Sequence, residues 1–115
     1  LACAAARTVL AVIEEDKLLA RVEENGAYLG RRLLELAAAH PKGCVGERGR
    51  GLLRALVLAP GVDARLALNA CRERGVLLTV AGSDGLRFTP PLVISKAELD
   101  ESLALVDQAL TDLGW

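Results

Sequence analysis

The stretch Leu52-Leu53-Arg54-Ala55-Leu56-Val57-Leu58 decides the fold. Successive strand residues point to opposite faces, and here both faces are apolar apart from Arg54. That pattern predicts a central strand covered on both sides. Before it, Cys44-Val-Gly-Glu-Arg48 reads as a second, shorter strand, joined through the backbone hinge Gly49-Arg50-Gly51. After it, Pro60-Gly61 is a turn, and Asp63 is placed to cap a helix over Ala64 to Arg74 that ends at Gly75. Val76 to Val80 predicts a third strand. Ser83-Asp84-Gly85 predicts a tight turn into a fourth, Leu86-Arg87-Phe88, stopped by Thr89-Pro90-Pro91.

Helices flank this β-rich middle. The first is expected from about Ala2 to Glu15, with Val9, Val12 and Ile13 on one face. A break near Asp16 leads to a second, on which Leu18, Val22, Leu29, Leu33 and Leu36 recur at helical intervals and which stops at His40-Pro41. Gly26 and Gly30 weaken this helix but suit close packing. The last helix opens with Ser95 and with Glu98 three residues on, a capping box, and carries Leu99, Leu103, Val106, Leu110 and Leu113 on one side. The order α-α-β-β-α-β-β-α predicts an α+β fold: one two-layer domain over residues 1–115, its short, mostly antiparallel sheet covered by helices. The first residues run straight into a helix without a start cap, as expected of a domain excised from a longer polypeptide.

Composition narrows the function. With 52% hydrophobic and 25% charged residues the chain is globular, and with 3% aromatics its core must be built from Leu, Val and Ala. A net charge of −1 with both signs interspersed argues against nucleic acid and anionic membranes as partners. No apolar run reaches the ~18 residues of a membrane span. Cys3, Cys44 and Cys71 have no metal-site spacing and read as buried, reduced thiols of a cytosolic protein.

A self-sufficient active site is not expected. His40, the sole histidine, reads as a solvated residue at a helix end. The glycines at 43, 46, 49 and 51 lack the lysine and following helix of a phosphate cradle. The acidic residues alternate with arginines on helix surfaces, and Lys17, Lys42 and Lys96 all read as exposed. Arg48, Arg50 and Arg54 gather around one joint, as surface or domain-interface pairing residues or as an anion site; no partner for Arg54 is legible. Arg87 stands apart, on a short apolar strand between a glycine turn and two prolines. A guanidinium held there either forms an internal salt bridge or grips a carboxylate through two parallel hydrogen bonds.

The ordered set Leu1-Ala-Cys-Ala-Ala-Ala6, Gly46-Glu-Arg-Gly-Arg-Gly-Leu-Leu53, Cys71-Arg-Glu-Arg-Gly-Val-Leu-Leu78 and Leu86-Arg-Phe-Thr-Pro-Pro-Leu-Val-Ile94 resembles the C-terminal part of class III aminotransferases, the acetylornithine type above all. The resemblance implies a fold-type I enzyme dependent on pyridoxal 5'-phosphate, cytoplasmic and usually homodimeric, with active sites between subunits. It implies that a larger, preceding domain supplies the Schiff-base lysine and the cofactor contacts, so this chain alone would carry no catalytic, cofactor-binding or metal-binding residue. It assigns Arg87 to the α-carboxylate of the amino-acid and 2-oxo-acid substrates. The implied reaction passes an amino group from N-acetylornithine to 2-oxoglutarate in arginine biosynthesis. Enzymes acting on ornithine, succinylornithine or γ-aminobutyrate are the neighbouring alternatives, and a free-standing, non-catalytic binding module is the alternative of another class.

Overall fold

A computed structural model describes residues 1–115. Its elements are α1 (Ala2–Glu15), α2 (Leu18–Ala39), β1 (Cys44–Arg50), β2 (Leu53–Leu58), α3 (Ala64–Glu73), β3 (Thr79–Val80), β4 (Gly85–Phe88) and α4 (Lys96–Asp112). The fold is α+β with the order α-α-β-β-α-β-β-α, as expected. The four strands form one sheet in the order β1-β2-β4-β3, with every neighbouring pair antiparallel.

The sheet's two faces differ. Leu56, Leu58, Leu86 and Phe88 share one face and join Leu29, Leu33, Cys71, Val106 and Leu110 of α2, α3 and α4 in a single core. The alternate residues, Leu53, Ala55, Val57 and Arg87, point away from it and belong to no part of that core. All covering helices therefore lie on one side. The expectation that β2 is covered on both faces is corrected: it is central, but Leu53 on its outer face is 60% exposed. Apolar residues on both faces do not by themselves say what covers the second one.

Local boundaries follow local chemistry. Asp63 caps α3 by accepting from the Arg65 N–H at 2.9 Å. Ser95 and Glu98 form the reciprocal capping box that starts α4. Strand β1 runs two residues beyond the expected Arg48, because Gly49 and Arg50 still pair with Arg54 and Leu53, and the hinge contracts to Gly51 and Leu52. The third strand shrinks from Val76–Val80 to Thr79–Val80, and Leu77 lies almost free at 82% exposure. The following turn spans residues 81–84 and takes its positive φ at Gly82 (68°) rather than at the Asp84-Gly85 pair. Helix α1 buries none of its residues and leaves Val9, Leu10 and Val12 exposed.

Candidate functional site

Arg87 lies in the middle of β4, between Ala55 on β2 and Thr79 on β3. Its neighbours Leu86 and Phe88 are 0% and 6% exposed and anchor the strand in the core. Strand alternation therefore turns Arg87 to the outer face, where it is exposed and takes no part in the chain's side-chain hydrogen bonds or ion pairs. Of the two readings open at Arg87, the internal salt bridge is absent from this structure.

Two more arginines share that face. Arg48 lies opposite Ala55, so Arg48, Ala55, Arg87 and Thr79 form one row across the sheet, and Arg50 lies opposite Leu53 in the next row. Arg48 is engaged: its Nη2 and Nη1 donate to Asp84 Oδ1 and Oδ2 at 2.7 and 3.0 Å, a two-pronged contact with the β3–β4 turn. This bond lowers the Asp84 carboxyl below its ordinary value and raises the Arg48 guanidinium above its own. Arg50 is exposed. An open groove of about 700 Å³ lies between α2, the β1–β2 turn and the segment after β4, with Thr89, Pro90, Leu53 and Val22 among its walls.

The arginines grouped by sequence therefore separate. Arg54 turns inward, where its Nη1 donates to Glu47 Oε2 at 2.8 Å and its Nε to the Gly51 carbonyl at 3.1 Å. Glu47 and Arg54 are diagonal neighbours across the β1–β2 hairpin, where Arg54 lies opposite Gly49 and Glu47 opposite Leu56, and their side chains are 17% and 14% exposed. The hairpin register carries this pairing, and neither residue alone announces it.

The other candidates fall into structural roles. His40 is buried, not solvated: at 4% exposure its ring meets Asp107 Oδ1 at 2.7 Å and the Trp115 carbonyl at 3.1 Å, tying α2 to α4 and to the last residues. Those partners lie 67 and 75 residues away, beyond any local pattern. Cys44 and Cys71 are buried as expected, whereas Cys3 is exposed on α1. Nothing groups His, Cys, Asp and Glu as a metal would require. Gly43 packs under the Trp115 ring, and Gly49 and Gly51 take positive φ values of 144° and 54°. Lys17, Lys42 and Lys96 are all exposed, and Lys96 pairs with Glu24. No lysine here sits in the desolvated pocket that a Schiff base requires. No helix is long and apolar enough to cross a membrane.

Comparison with known proteins gives the family: residues 1–110 match the family model "Aminotransferase class-III", and the chain belongs to that family. It is 42% identical over 105 residues to an L-lysine-epsilon aminotransferase of Mycobacterium tuberculosis, spanning 91% of this chain and 23% of that protein. It is 40% identical over 115 residues to an acetylornithine aminotransferase of Thermosynechococcus vestitus, spanning 98% of this chain and 28% of that protein. A solved lysine aminotransferase from M. tuberculosis in the internal aldimine form superposes with a TM-score of 0.88 at 41% identity, over 94% of this chain and 25% of that one. The chain thus spans about a quarter of the length of the relatives it matches.

Proposed function

We propose that this chain is the C-terminal small domain of a pyridoxal-phosphate-dependent aminotransferase, and that it contributes Arg87 as the clamp for the substrate α-carboxylate. The observation that carries the reading is the state of Arg87: backbone fixed in a paired strand, side chain exposed and free of any internal acid. A planar guanidinium so placed presents two parallel donors to a carboxylate. The pyridoxal phosphate supplies the electron sink for the amino-group transfer when bound. The residues of this chain do not fit covalent attachment of that group, since all three lysines are exposed; the attaching lysine belongs to a preceding, larger domain. Within the cytoplasmic, homodimeric enzyme so inferred, Arg87 acts by holding one end of the amino-acid or 2-oxo-acid substrate and so orienting the rest of it.

The reaction proposed is transfer from N-acetylornithine to 2-oxoglutarate in arginine biosynthesis, supported by the 40% identity to an acetylornithine aminotransferase across nearly the whole chain. The 42% identity to lysine-epsilon aminotransferases favours lysine as the second reading for the amino donor. Steady-state kinetics of the complete enzyme with each donor against 2-oxoglutarate separates the two: the higher kcat/KM identifies the donor. In the same assay Arg87→Ala raises KM for 2-oxoglutarate at least tenfold, a loss of at least about 1.4 kcal/mol. Arg87→Lys, which keeps the charge but loses the fork, falls in between. An Arg87→Ala enzyme with wild-type KM values would overturn the assignment.

A further inference from the structure

The outer face of the sheet sets Arg87 beside a problem of charge. The β3–β4 hairpin holds one acidic residue, Asp84, three positions before Arg87. Gly85 lies between them on the outer face and has no side chain to separate them. Three residues of extended chain span about 10 Å, within the combined reach of an extended arginine and an aspartate, so an unengaged Asp84 carboxylate would be an intramolecular competitor for the Arg87 fork. Arg48 reaches across β2 from the far side of the same row. Its Nη2 lies over Gly85, 3.4 Å from where a Cβ would stand, and its two prongs occupy both Asp84 oxygens while Nη2 also approaches the Ala81 carbonyl at 3.4 Å.

Resting on the reading of Arg87 as the carboxylate clamp, we propose that Arg48 is a positioning residue that sequesters Asp84 and so keeps the Arg87 guanidinium free for the substrate carboxylate. The Arg48–Asp84 pair is itself exposed, with side chains at 49% and 50%, and contributes little to folding. Its use lies in where it holds the negative charge. The lowered Asp84 carboxyl and the raised Arg48 guanidinium both follow from this one contact.

The test exploits an asymmetry. Arg48→Met and Asp84→Asn break the same ion pair, but only the first releases an ionised carboxylate beside Arg87. The complete enzyme is titrated calorimetrically with glutarate, an unreactive dicarboxylate that requires no turnover. Arg48→Met weakens glutarate binding about fivefold, the scale of one exposed ion pair. Asp84→Asn binds at least as tightly as wild type, and the double variant Arg48→Met/Asp84→Asn recovers wild-type affinity. Arg50→Met removes an equal charge from the same face without releasing Asp84, and leaves affinity within about twofold. Weakening of Asp84→Asn to the level of Arg48→Met, failure of the double variant to recover, or equal losses in Arg48→Met and Arg50→Met would each overturn the proposal. Unfolding midpoints accompany each titration, and Arg48→Gln replaces Arg48→Met if the latter does not fold. Arg87→Ala separates the two ideas. Wild-type glutarate affinity in that variant sinks the clamp reading itself, whereas weakened affinity there with none in Arg48→Met sinks the sequestration alone.

Discussion

Gly26 and Gly51 meet backbone to backbone: a Cβ on Gly26 would fall 2.6 Å from Gly51 Cα and closer still to its carbonyl. This contact seats α2 against the turn between β1 and β2, and that turn needs Gly51 at a φ of 54°. The same carbonyl accepts from Arg54 Nε, so one glycine pair sets the height of the helix over the sheet and the depth of the Arg54 side chain.

The Gly26→Ala substitution therefore reverses its usual sign. In an exposed helix it would stabilise by about 1 kcal/mol. Here the added methyl meets backbone, which cannot swing aside, and overpacking of this kind costs about 1–3 kcal/mol. Urea unfolding of Gly26→Ala is expected to show a net loss of stability. A gain would mean that α2 can lift from the hairpin at no cost.

The Glu47–Arg54 pair invites a double-mutant cycle. Both side chains are largely buried, and the guanidinium also lies against Gly30. Glu47→Ala alone leaves a buried cation without its carboxylate and is expected to cost about 3 kcal/mol, as for other broken buried pairs. Glu47→Met/Arg54→Met, which removes both charges, is expected to cost less than either single change. Additive losses in thermal unfolding would show that the two residues act independently.

The limits of the sequence reading follow from the range of each interaction. Helices α1, α2 and α4 were legible because periodicity at three and four residues, and the Ser95–Glu98 box, are written within a few positions. The arginine on β4 was legible because Gly85 and Pro90-Pro91 bracket it. The partners of His40 and Arg48 were not, since Asp107 and Asp84 come into contact only after the helices pack and the hairpins register. The short β3 was overestimated for a related reason. Val76 to Val80 has strand-like residues, but only Thr79 and Val80 find a partner at the sheet's edge.

The thiols predict an alkaline limb. Burial pushes Cys44 and Cys71 from near 9 up to about 11, with Arg74 partly offsetting the rise at Cys71. In the unfolded chain the same thiols ionise first, so between about pH 9 and 11 the folded state binds more protons than the unfolded one. Stability is then fully present below pH 9 and falls as pH rises through that window. Stopped-flow titration with a disulfide reagent at pH 8 should find one prompt thiol, the exposed Cys3, and two that react only on unfolding. Three prompt thiols would show that the core around Cys44 and Cys71 opens readily.

The acid limb has the opposite sign and a different set of groups. Glu24, bonded to Lys96, Asp84, bonded to Arg48, and Glu98, bonded to the Ser95 backbone and hydroxyl, are all held below their ordinary values of 4.5, 3.8 and 4.5. A carboxyl depressed in the folded state gives up its proton more readily there than in the unfolded chain. Its contribution is present above the ordinary value and is lost as pH falls through the folded one. Urea midpoints are therefore expected to be flat from pH 7 to about 5 and to decline below pH 4.5. Glu98→Gln isolates one member of the set: it lowers the neutral plateau, because the capping box loses its charge, and makes the acid decline shallower. Ser95→Ala, which removes the other half of the box, costs about 1 kcal/mol at neutral pH. If the decline keeps its full steepness in Glu98→Gln, the acid sensitivity of this domain resides outside the α4 cap.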